Sequence, residues 1–229
     1  MQHPESSFKE EIKMEFQLER MILFSDAVFA IVITLMAIDI KIPETEYFQL
    51  APHELNQHLL HLVPIFIAYA FSFFFIGRTW YIHLQLFGFL KKYNAGLVFC
   101  NLLLLFSIGL FPFAASVLVH VTKSYLNFIV YFSILGLCQA SQLYLRYYIF
   151  IKHPELRNDR PIGKELLKYK LSVSVVIVAF IGSLLVIVTN ILITDPAKKD
   201  FSLLWVLLMV IIIRMIRRKN KAKRRLLKE

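Results

Sequence analysis

Six apolar runs set the pattern of the chain: Met21 to Ile42, Leu59 to His83, Ala95 to Val119, Tyr125 to Phe150, Leu171 to Ile193 and Phe201 to Ile216. Each comes close to the roughly 20 residues that a helix needs to cross a hydrocarbon core of about 30 Å. The runs therefore predict an all-α integral membrane protein with six transmembrane helices per subunit and short connections. Residues 1–20 form an amino-terminal segment, 21–216 the membrane domain and 217–229 a basic tail. The charged, amphipathic flank Phe8 to Phe16 is unlike a signal peptide, so the first helix is expected to stay in the mature protein. Pro43 closes the first run, and Pro64 and Pro112 fall inside later ones, where proline commonly marks a kink.

On a wheel of about 100° per residue, Ile31, Leu35 and Ile38 share one narrow stripe of the first helix, with Phe24, Ala27 and Thr34 on or beside it. Ser25 and Asp26 lie well round from that stripe. A carboxylate entering hydrocarbon must find partners, and Arg20, Arg78, His83 and Asn101 are the candidates. Trp80 and His83, three apart on one helix face, are expected to bring an indole N–H and an imidazole nitrogen to one point. The stripe has two readings. It packs on lipid or another helix, or copies of the helix meet on an axis and stack aliphatic rings, which gate ions by dewetting.

Composition agrees with the pattern: 58% of residues are hydrophobic, 21 are Phe, and the mean hydropathy is +0.61. The formal charge of +10 does not point to nucleic acid, because of where the basic residues lie. They gather in the amino-terminal segment, the second and fourth connections and the tail from Arg214 to Arg225. The other connections hold only Lys41, Lys123, Lys198 and Lys199. By the positive-inside rule both termini are cytoplasmic in a multi-pass cell-membrane protein, and the tail is placed to meet anionic lipid. Cys100 and Cys138 lie within apolar runs and read as small core side chains. His53, His58 and His61 occupy the first outer connection but lack a clear fuller ligand set, so no metal and no cofactor is expected. The chain has no His-Glu-x-x-His, Gly-x-Ser-x-Gly or P-loop, and enzyme chemistry is not expected.

Arg20-x-x-x-Phe24-Ser25-Asp26 leading into Ala27 to Met36, then Asp39 to Pro43, resembles the first helix of the transmembrane protein 175 family of potassium channels. Trp80-x-x-His83, Asn101-Leu-Leu-x-Leu and Phe111-Pro-Phe113 resemble that family's second and third helices. The motifs cover about the first half of the chain. Phe29 departs from the smaller or aliphatic residue of similar sequences.

The resemblance implies a channel selective for potassium over sodium without a Thr-Val-Gly-Tyr-Gly filter, which is absent here. It implies a single six-helix unit of the bacterial kind that assembles as a homotetramer, with the first helix lining a central pore. By position, Ile31, Leu35 and Ile38 become constrictions and Thr34 offers a hydroxyl near them. Arg20, Phe24, Ser25, Asp26, Trp80, His83 and Asn101 become the network that fixes the pore helix. Asp39, Glu44 and Glu46 stand at the outer mouth, where acidic groups concentrate cations. The rival reading is a proton-coupled transporter using Asp26 and His83 as relay groups, although the chain shows no internal repeat of the kind transporters carry. A nonconducting assembly protein is the third possibility.

Overall fold

The computed structural model describes residues 4–38, 52–120, 126–158, 161–192, 211–216 and 218. Every regular element among them is helical: α1 (Pro4–Ile38), α2 (Pro52–Phe87), α3 (Ala95–Gly109), α4 (Phe111–His120), α5 (Leu126–Tyr147) and α6 (Gly163–Leu192). Residues 211–216 are also helical. Two stretches, Ile12–Ile38 and Ala95–Val117, are long and apolar enough to cross a membrane on their described residues alone.

α1 contains neither glycine nor proline after Pro4, and its 35 residues make a rod of about 52 Å, well beyond a hydrocarbon core. α2 begins with proline in its first turn, where the missing N–H is no loss. It runs helical from Pro52 and through Pro64. The outer connection expected to hold His53, His58 and His61 is therefore helical backbone, so these residues lengthen α2.

The third apolar run is two helices, not one. Pro112 has no N–H to give to the Ile108 carbonyl, and the backbone N–H of Leu110 turns to that carbonyl instead. α3 ends there and α4 starts at Phe111. Phe111 is buried at this break, stacked on Phe75 at 5.2 Å and edge-on to Tyr131 at 6.3 Å. The break thus lets one aromatic side chain tie α2, α4 and α5 together.

α5 packs along α3 and α4 and against α6, while α1 lies across α2, α3 and α4. Leu97, Leu104 and Ile108 of α3, with Ile76 of α2 and Leu145 of α5, form the most enclosed part of the core. Cys100 and Cys138 are buried free thiols within it. Phe99, Phe106 and Phe113 recur every seven residues along α3 and α4 and are well exposed, as are Phe66, Phe71 and Phe74 on α2. A large apolar surface of this kind is suited to hydrocarbon rather than water.

At one end of the bundle, the turn after α2 pairs with the segment after α5. Leu90 and Arg157 form an antiparallel bridge, the Leu156 carbonyl accepts from the N–H groups of Lys91 and Lys92 at 2.9 and 3.1 Å, and the Asn158 N–H donates to Phe89 O at 2.8 Å. The fourth connection is thereby tied to the second.

α5 enters this segment through a widened π-turn, Tyr148–Lys152, instead of ending at Phe150. The Tyr148 hydroxyl donates to Asn94 Oδ1 at 3.1 Å, and the same oxygen caps α3 by accepting from Leu97 N–H at 2.8 Å. Gly96 leaves the space for this contact, since a Cβ there would collide with the Tyr148 ring.

Candidate functional site

α1 has two chemically distinct faces. Leu18, Ser25, Phe29, Val32 and Met36 are buried against the rest of the subunit. Ile31, Leu35 and Ile38 are 55, 46 and 59% exposed, so they are left largely uncovered by the described residues of their own subunit. Phe24, Ala27 and Thr34 are exposed beside them. The Thr34 hydroxyl lies 2.8 Å from the Ile31 carbonyl and 3.1 Å from that of Ala30. Its proton is thus spent on the backbone, and the hydroxyl presents oxygen lone pairs outward.

The opposite face carries a directed hydrogen-bond chain across three helices. His83 Nε2 of α2 lies 2.8 Å from Asn101 Oδ1 of α3, Asn101 Nδ2 donates to Ser25 Oγ of α1 at 2.9 Å, and Ser25 Oγ donates to the Met21 carbonyl at 2.8 Å. An amide oxygen only accepts, so His83 carries its proton on Nε2 in this arrangement. All three side chains are buried. His83 is held flat by Phe87 at 4.1 Å and flanked by Phe29 at 5.6 Å. Phe29, the departure from similar sequences, thus fills the space beside the imidazole. Its Nδ1 has no partner among the described residues.

A second link runs beside the first. Trp80 Nε1 donates to Asp26 Oδ1 at 2.8 Å. Trp80 and His83 do not converge on one point; they grip adjacent residues, Asp26 directly and Ser25 through Asn101. No direct hydrogen bond among the described residues joins Asp26 to His83.

The remaining members of the expected network lie elsewhere. Arg20 is exposed, with its guanidinium 6.0 Å from the Phe16 ring centre, and Phe24 is exposed on the stripe side. Neither joins these hydrogen bonds.

Two further links hold α2 to α5: Ser72 Oγ to Tyr131 Oη at 2.9 Å and Gln142 Nε2 to the Thr79 carbonyl at 3.1 Å. The sequence reading missed both, although Gln142 inside an apolar run is the signal that marks the second. Asp39, Glu44, Glu46 and the tail residues 217 and 219–229 lie outside the described residues. Among the described residues no cluster of His, Cys, Asp and Glu is arranged to hold a metal.

The family match falls on the same part of the chain. Residues 20–112 match the family described as endosomal/lysosomal potassium channel TMEM175, which bears out the resemblance drawn from the Arg20 to Asp26, Trp80 to His83 and Phe111 to Phe113 motifs. A potassium channel from a Chryseobacterium species is 40% identical over 96 residues, 42% of this chain and 45% of the relative. A potassium channel from Streptomyces collinus is 38% identical over 95 residues, 42% of this chain and 44% of the relative. The matches thus span about half the length of these curated relatives. The crystal structure of a lysosomal potassium-selective channel TMEM175 homolog from Chamaesiphon minutus superposes with a TM-score of 0.64 at 22% identity, covering 89% of this chain and 98% of that one. The all-helical fold extends this likeness beyond the matched half.

Proposed function

We propose that this chain is the subunit of a potassium-selective channel in which α1 helices from four copies surround a central axis. On this reading Ile31, Leu35 and Ile38 form three stacked aliphatic rings, with Thr34 between the first two. Both termini are cytoplasmic, and the basic tail contacts anionic lipid. The observation that carries the reading is the division of α1. The stripe left uncovered by the described residues is the aliphatic one, while Ser25 and Asp26 on the other side are bonded to α2 and α3. The family match over residues 20–112 and the names of the relatives support potassium as the permeant ion.

A ring of aliphatic side chains supplies no ligand to replace an ion's water. Ions therefore cross with much of their hydration shell, or the neck dries and closes. Potassium releases water more readily than sodium, and a narrow apolar neck converts that difference into selectivity. Purified protein in planar bilayers, recorded under opposed potassium and sodium gradients, tests the proposal. Unitary steps reversing near the potassium potential are expected. Coupled, saturable flux without steps would indicate a transporter, and silence a nonconducting assembly.

A further inference from the structure

The structure leaves Arg20 in an unexpected place. Asp26, its candidate partner, accepts from Trp80 instead, and among the described residues no acidic side chain pairs with the guanidinium. Arg20 instead stands in the open above Phe16. It is eleven positions before Ile31, which at about 100° per residue returns it to within about 20° of that side chain, roughly 16 Å along the helix. Lys13, also exposed, is eighteen positions before Ile31 and lies on the same line, since eighteen residues complete about five turns. Glu15 and Glu19, the exposed acids of this stretch, fall about 160° and 120° away. The continuous helix carries the aliphatic stripe directly into a basic one, with the acids turned aside.

We propose that Arg20 forms a ring of positive charge at the amino-terminal mouth of the pore, with Lys13 a second ring beyond it, and that this ring sets the direction in which current passes more easily. The proposal rests on the four-copy pore read above. Cations approaching from the amino-terminal side meet a repulsive field that those entering from the other side meet only on leaving. Conductance is therefore rectified, with cation flow from the amino-terminal side the weaker direction. The field is screened by salt, with a Debye length of about 10 Å at 0.1 M and about 3 Å at 1 M, so the asymmetry is largest in dilute solution.

Arg20→Cys provides the test, because the two native cysteines are buried and a thiol reagent reaches the new one selectively. In potassium solutions of about 0.02 M, Arg20→Cys is expected to raise the weak-direction current at least about two-fold, and the difference is expected to vanish near 1 M. A cationic methanethiosulfonate restores the original asymmetry, and an anionic one raises the weak-direction current above that of the unmodified cysteine variant. Should Arg20→Cys not assemble, Arg20→Gln and Arg20→Lys replace it, and only the lysine variant keeps the asymmetry. Current that is present but indifferent to charge at position 20 overturns this inference and leaves the pore reading standing. Unmodified protein that passes no potassium overturns both.

Discussion

Ser25 is a small residue with a large consequence, because its single oxygen both accepts from Asn101 and donates to Met21. Asn101→Leu leaves the His83 Nε2–H and the Ser25 lone pair without partners. Each stranded buried group costs about 1–3 kcal/mol, so a clear fall in thermal midpoint is expected in detergent. Ser25→Ala removes one end only and is expected to cost less. Asp26→Ala is expected to lower the yield of assembled oligomer, read by size-exclusion chromatography. A variant that assembles and conducts normally would refute an anchoring role. On the exposed face, Ile31→Asn or Leu35→Asn is expected to wet the neck, raising conductance and eroding the preference for potassium. Unchanged currents in both would mean that the stripe faces something other than ions. Polar residues inside apolar runs mark Ser25, Asp26, Trp80, His83 and Asn101 in the sequence. Their pairing is not marked, because i,i+3 spacing puts Trp80 and His83 on one face without saying that α1 crosses there and α3 approaches behind. Arg20 shows the limit of motif reading: its spacing to Asp26 suggested a partner, and the nearer indole N–H holds that carboxylate.

At the scale of elements, the apolar runs locate the helices well and their ends poorly. The third run is unbroken in hydropathy, so only Pro112 announces that α3 and α4 are separate, and only packing makes Phe111 the plug of the break. Proline alone does not decide the matter, since α2 passes through Pro64 without ending. The clamp between residues 88–92 and 156–158 is built almost wholly from backbone groups, and backbone hydrogen bonding between distant loops leaves no side-chain signature. Gly96 is a position where one methyl group decides the geometry of an element. Gly96→Ala is expected to push Tyr148 from Asn94 and loosen the π-turn, lowering stability by about 1–3 kcal/mol. Removing the ring in Gly96→Ala/Tyr148→Leu is expected to recover part of that loss, and strict additivity in the double variant would argue against the collision. In the same segment, the Glu155 carboxyl is held below its usual range by its own backbone N–H and by His153 Nδ1 at 2.6 Å. A depressed carboxyl stabilises the fold above its unfolded pKa and ceases to do so as pH falls through the folded one. Glu155→Gln is therefore expected to flatten slightly the acid limb of the melting-temperature profile.

For the whole molecule, the described helices divide their surfaces by environment. Phe99, Phe106 and Phe113 look outward from α3 and α4, Leu97, Leu104 and Ile108 look inward, and α1 keeps one bare aliphatic line apart from both. That separation is what a subunit needs if lipid, its own core and sister copies are to touch different sides of it. α1 itself is a rod without a glycine or proline hinge between Glu5 and Ile38, and Ser25 and Asp26 pin it near its middle. A stiff shaft pinned at its waist resists turning, because rotation about its axis must first break the bonds that hold it. If copies of α1 line a pore as proposed, a turn applied near Phe16 reaches Ile31, Leu35 and Ile38 only after the Ser25 and Asp26 bonds give way, so those two anchors are the brake on any movement of the neck.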